Sequence, residues 1–104
     1  MSKLSRLVIL AALLLSACVV YETGFDRSWA AASGAMYDQG LTITTQDRSA
    51  GVIRGERGGI TITATVETRP DGRIQVKFDS SGATRTDPGL IDRVTESYNR
   101  RMGR

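Results

Sequence analysis

At 104 residues, with 24% charged and 40% hydrophobic content, the chain has room for one small domain with a single core, beside its N-terminal segment. Lys3 and Arg6 precede the lone cysteine, Cys18, and all 11 acidic residues follow it, so 12 basic residues face 11 acidic ones from Cys18 onward, a net charge of +1. A near-neutral body argues against nucleic-acid binding, which rests on neutralising several phosphates, and a histidine count of 0 excludes a Ser-His-Asp triad, a Cys-His pair and any imidazole metal ligand.

The N-terminus divides into parts with different physics. Met1 to Arg6 is short and positive, and Leu7 to Leu15, LVILAALLL, is an unbroken run of nine apolar residues. That order matches a secretory signal, expected to occupy residues 1–17. Counted through Val20, the apolar stretch reaches only about 14 residues, short of the roughly 17 to 25 needed to cross a bilayer core. A buried core helix would carry polar residues at helical spacing on its outer side, and Leu7 to Leu15 carries none.

Leu15-Ser16-Ala17-Cys18 resembles the lipobox of bacterial lipoproteins, with an aliphatic residue three positions before the cysteine and small residues beside it. The resemblance implies cleavage between Ala17 and Cys18, a thioether-linked diacylglycerol on Cys18, and a further acyl group such as palmitate on the new N-terminus. One acyl chain binds a membrane only marginally, at about 0.8 kcal/mol per buried CH₂, whereas two or three hold it stably. The competing reading, an ordinary signal peptide with an incidental cysteine, leaves an exported protein with one exposed thiol. In proteobacterial lipoproteins an aspartate after the cysteine retains the protein in the inner membrane. Val19 stands there instead, so the implied address in a two-membrane envelope is the outer membrane, facing the periplasm.

Residues 18–25 form the lipidated cysteine and a short tether, in which Val19 to Phe25 reach roughly 25 Å when extended. Residues 26–104 read as a single α+β domain. Asp26 is the expected N-cap of a helix running through Gln39, with Trp29, Ala32 and Met36 on one face and Gly40 as the stop. Leu41, Ile43 and Thr45 form one inward row, and Gly51, Ile53 and Gly55 another, joined by a turn at Asp47-Arg48-Ser49. A Gly58-Gly59 turn pairs Ile53 with Ala64.

Ile60 to Val66 alternates apolar and polar residues without a slip, as do Ile74, Val76 and Phe78 across Gln75 and Lys77. Parity selects the turn between these two strands. A three-residue loop, Pro70-Asp71-Gly72, sets Arg69 opposite Arg73, Val66 opposite Val76 and Ala64 opposite Phe78, with Gly72 left-handed. The last helix is expected from Asp87-Pro88, as N-cap and first helical residue, through Ile91, Val94, Tyr98 and Met102. Arg100, Arg101 and Arg104 suit its C-terminal dipole. Together these elements predict a four-stranded antiparallel meander with two helices packed on one face, in the order α-β-β-β-β-α.

This pattern, with its Trp-bearing first helix and the GVIRGERGG strand pair, resembles small uncharacterised envelope lipoproteins. It also loosely resembles the domains of the C lipoprotein of the outer-membrane β-barrel assembly machinery, over most of residues 26 to 102. That lipoprotein has two such domains and a long N-terminal segment that grips its partner, so the resemblance implies a fold and not the same partner.

The search for chemistry yields little. GERGG is followed by neither Lys-Ser/Thr nor a helix, which argues against a phosphate-binding loop. The acids Asp38, Asp47, Glu56, Glu67, Asp71, Asp79, Asp87, Asp92 and Glu96 are scattered singly, without calcium-loop spacing. Arg48, Arg54, Arg57, Arg69, Arg73 and Arg85 read as solvated surface, against an anionic-ligand or lipid-headgroup patch. No cofactor and no metal is implied.

Two function classes remain. One is a noncatalytic, lipid-anchored module that binds an envelope protein or peptidoglycan. The other is a small ligand-binding protein or hydrolase with an Asp/Glu/Arg/Tyr site between sheet and helices. The first has a candidate surface, the wet sheet face bearing Thr61, Thr63, Thr65, Glu67, Gln75 and Lys77, with Thr63, Thr65 and Lys77 as its expected centre.

The lipobox reading makes a direct prediction. Cells given a labelled fatty acid incorporate the label into this protein, and Cys18→Ser abolishes it and leaves an uncleaved precursor. Label retained by the Cys18→Ser protein overturns the anchor.

Overall fold

The fold is that of a computed structural model, which describes residues 24–104. Ala17, Cys18 and the tether up to Thr23 lie outside the described residues. Helix α1 spans Phe25–Asp38. It leads to strands β1 (Thr42–Asp47), β2 (Val52–Arg57), β3 (Ile60–Thr68) and β4 (Ile74–Gly82), a 3₁₀ turn at Thr84–Thr86, and helix α2 (Leu90–Arg101). The strands form one antiparallel sheet in the order β1-β2-β3-β4, and both helices pack on one face of it. The α+β meander expected from the sequence is the fold observed.

β3 is the strand around which the layers assemble. Its inner residues Ile60, Ile62, Ala64 and Val66 are at most 2% exposed. Against them lie Ala31, Ala32, Ala35 and Met36 of α1 and Leu90, Val94 and Tyr98 of α2. Full burial of an aliphatic side chain of isoleucine size contributes about 1.5–3 kcal/mol, so this layer carries most of the domain's cohesion. Alanines in α1 favour helix and present short side chains to the sheet. Gly55 of β2 leaves the space that Met36 and Leu41 occupy, since a Cβ there would sit 3.0 Å from the Met36 sulfur.

The turns obey the parity argument. Val66 pairs with Val76 and Ala64 with Phe78, Arg69 N–H donates to Arg73 C=O at 2.7 Å, and Gly72 has φ of 85°. Gly58 and Gly59 are both left-handed, the backbone a two-residue hairpin needs, and Ile53 pairs with Ala64. α1 stops as expected: Gly40 N–H bonds Tyr37 C=O and Leu41 N–H bonds Met36 C=O, a Schellman closure.

Four local expectations are corrected. Asp26 is not the N-cap; Gly24 holds that position with no side-chain bond. α1 begins two residues early, with Phe25 stacked on Trp29 one turn ahead at a ring-centroid distance of 5.7 Å, and Asp26 pairs with Arg48 instead. Thr45 does not continue the inward row of Leu41 and Ile43. A bulge between Ile43 and Thr45 sets Thr45 opposite Arg54 and Gln46 opposite Ile53, because an extra residue reverses the parity. The first hairpin turn lies after Asp47, which still pairs with Val52; its carboxylate accepts from Ser49 Oγ (2.8 Å) and Ala50 N–H (3.1 Å). α2 starts at Leu90 behind Gly89, not at Pro88, because the Asp87 carboxylate is taken by the Arg93 guanidinium.

The two helices are tied by polar contacts at their ends. Arg101 donates to both Asp38 oxygens (2.8 and 2.7 Å), lying across Gly34, where a Cβ would fall 2.5 Å from the guanidinium carbon. Gln39 donates to the buried Ser97 Oγ at 2.8 Å, and Arg57 donates to Gln39 C=O at 2.8 Å. The Arg101 hydrogen bonds hold the Asp38 carboxyl below its ordinary range.

Two predictions follow from this packing. Ile62→Asp, which places an unpaired charge in the apolar layer, abolishes the cooperative melt, whereas Thr63→Asp on the opposite face costs little; equal loss in thermal melts overturns the facing of the sheet. Because the folded-state pKa of Asp38 is lowered, its contribution is present above the ordinary carboxylate range near pH 4 and is lost as pH falls through the lowered value. Asp38→Asn therefore lowers the melting temperature slightly at pH 7, as suits a solvent-exposed pair, and narrows the drop between pH 5 and pH 2; an unchanged acid drop counts against this clamp.

Candidate open-face site

With one face of the sheet under the helices, the other carries the outward rows. Thr45, Arg54, Thr63 and Asp79 stand side by side across the four strands, and Asp47, Val52, Thr65 and Lys77 form the next row. Thr42, Glu56, Thr61 and Ser81 form a third, in which Thr61 Oγ1 reaches Glu56 Oε1 at 3.5 Å. Glu67 and Gln75 close the surface towards the hairpin turn, where Arg69 donates to Gln75 Oε1 at 3.2 Å.

The three residues expected at the centre are brought together. Thr65 pairs directly with Lys77, and Thr63 lies one row away between Arg54 and Asp79. Thr65 and Lys77, with Glu67, Gln75 and Asp79, line a depression of about 160 Å³ on this face. Asp79 is the lining residue that the sequence argument omitted from the face, although the same period-two rule that turns Lys77 outward extends to it. The surface mixes both signs of charge with hydroxyls and an amide, and it supplies hydrogen-bond donors and acceptors without a dominant field.

A second depression, of about 350 Å³, lies where α1 begins and is lined in part by Phe25, Arg48, Gly51, Val66 and Glu67. Arg48, expected as a solvated turn residue, lies over Phe25 and Trp29, its guanidinium carbon 5.2 and 5.8 Å from their centroids. No spacing in the sequence signals this cluster, since Arg48 reaches it from another element. The remaining arginines are dispersed: Arg57 bonds the end of α1, Arg69 bonds Gln75, and Arg73 lies 3.5 Å from Asp71.

The first depression lies on the open face, and the second opens at the rim of the layer between sheet and helices, where α1 begins beside Val66. Among the described residues the buried polar side chains are Ser28 and Ser97, and Tyr98 packs edge-on to Phe78 at 5.5 Å. No Asp, Glu or Arg of the described residues is buried in that layer. Among the same residues no group of three or more acidic, Cys or His side chains is placed to hold a metal ion, and no helix is long and apolar enough to cross a membrane. No family model, curated protein or solved structure matches the chain.

Proposed function

We propose that this chain is a lipid-anchored protein of the bacterial envelope that binds another envelope component, a protein or peptidoglycan, through the open face of its sheet and catalyses no reaction. The observation that carries the reading is the open face itself: Thr63, Thr65 and Lys77 lie in adjacent rows beside a depression of about 160 Å³, on the side that the helices leave uncovered. Hydroxyl, amide, ammonium and carboxylate groups at strand spacing match the amides and sugars of murein and the polar rim of a protein partner. The Leu15-Ser16-Ala17-Cys18 pattern supports attachment through Cys18, and Val19 supports the outer membrane, facing the periplasm. With Phe25 already in α1, the tether shortens to Val19 to Thr23, roughly 17 Å when extended, which holds such a face within reach of components close to the bilayer.

A photocrosslinking amino acid placed at position 63, 65 or 77 in cells captures one specific envelope protein or a murein fragment, and the same group at position 62 yields nothing beyond the protein itself. Silence at every open-face position, together with turnover of a substrate by the purified protein, overturns the reading in favour of an enzyme.

A further inference from the structure

β4 is an outer strand whose free side is unusually well prepared for pairing. The Arg69–Arg73 bond (2.7 Å) and the Ala83 N–H to Gly59 C=O bond (3.0 Å) share the register of Val66 with Val76. Bonded and unbonded pairs alternate along an antiparallel ladder, so Gln75, Lys77, Asp79 and Ser81 bond to β3. The N–H and C=O groups of Ile74, Val76, Phe78 and Ser80 therefore point away from the sheet. β4 runs nine residues with no register shift, whereas the opposite edge, β1, has six residues and a bulge. Shortness and bulging are devices that blunt an edge against pairing, and β4 has neither. Its inner residues Ile74, Val76 and Phe78 are only half-buried, which leaves an apolar strip along the rim of the helical layer.

The residue order on β4 selects the occupant. We propose that a second copy of this chain covers the strip, β4 against β4 antiparallel, about a two-fold axis at Val76. That register sets Val76 opposite Val76 and Ile74 opposite Phe78 on the helical face. On the open face it sets Arg73 opposite Asp79 and Gln75 opposite Lys77, each twice. Other centres do worse. An axis at Lys77 or Asp79 opposes like charges, and one at Phe78 sets Lys77 opposite Asp79 on the open face but Val76 opposite Ser80 and Ile74 opposite Gly82 on the apolar one. Arg73 is free to engage, since its side chain is 83% exposed and its contact with Asp71 is 3.5 Å long. The contact is isologous, as a two-fold dimer requires, and it joins the sheets into one of eight strands with the helices on one side and a doubled open face on the other. This inference stands independently of the proposed function.

The test uses the full chain in detergent with micelles in large excess, and reads protein mass by analytical ultracentrifugation over a concentration series, with circular dichroism as the check on folding. The wild-type chain is a dimer. Asp79→Arg, which faces two arginines with two others, raises the dissociation constant roughly tenfold or more. Adding Arg73→Asp to it restores the dimer, and Lys77→Asp, opposite Gln75, leaves it intact. A wild-type monomer throughout the series overturns the proposal. So does an Asp79→Arg chain that remains folded and dimerises unchanged, or a Lys77→Asp chain that dissociates, which is the behaviour expected of the axis at Phe78.

Discussion

The period-two row Ile60, Ile62, Ala64 and Val66 on β3 is the constraint on which the other elements depend. It is paired on both sides, so its parity is imposed on both neighbours: Ile53 stands opposite Ala64 from one side and Phe78 from the other. A slip of one residue would turn every apolar side chain of a neighbour towards water, and the resulting loss, at about 1.5–3 kcal/mol for each buried aliphatic chain, exceeds anything the exposed ion pairs could return. The helices then have only one face to cover, and their alanine and valine residues meet it. Arg101 and Asp38, Gln39 and Ser97 orient the helices relative to each other once that layer has formed.

Burial of one row leaves its alternate open to solvent. Thr61, Thr63 and Thr65 are outward because Ile60, Ile62 and Ala64 are inward, and the pairing of β3 with β4 carries Lys77 and Asp79 to their sides. The depression on this face is thus a product of register, lined wholly by β3 and β4 residues and by no loop. The same arithmetic shapes the rim. Two helices cover the inner rows of β2 and β3 closely but leave Ile74, Val76 and Phe78 half-exposed on β4, so a sheet with one well-covered face still has one apolar border. β1 presents a single half-buried apolar residue, Ile43, on a short and bulged strand.

The sequence by itself determined the parts governed by neighbours a few residues apart. Alternation identified β3 and β4, parity required the three-residue Pro70-Asp71-Gly72 loop, paired glycines marked the second hairpin, and Gly40 marked the end of α1. The open face was legible for the same reason, since Thr63, Thr65 and Lys77 follow from alternation alone. Only the tertiary structure decided the rest. The bulge that turns Thr45 outward, the seat of Arg48 over Phe25 and Trp29, the Arg101–Asp38 clamp and the loss of the Asp26 cap depend on partners from other elements. Asp26 and Asp87 had the composition of N-caps, yet each pairs with an arginine instead: Asp26 with Arg48, which the fold brings from the first hairpin, and Asp87 with Arg93, a local partner in the first turn of α2. Propensity and periodicity act along the chain, whereas a guanidinium chooses its carboxylate in space, after the apolar layer has fixed which surfaces meet.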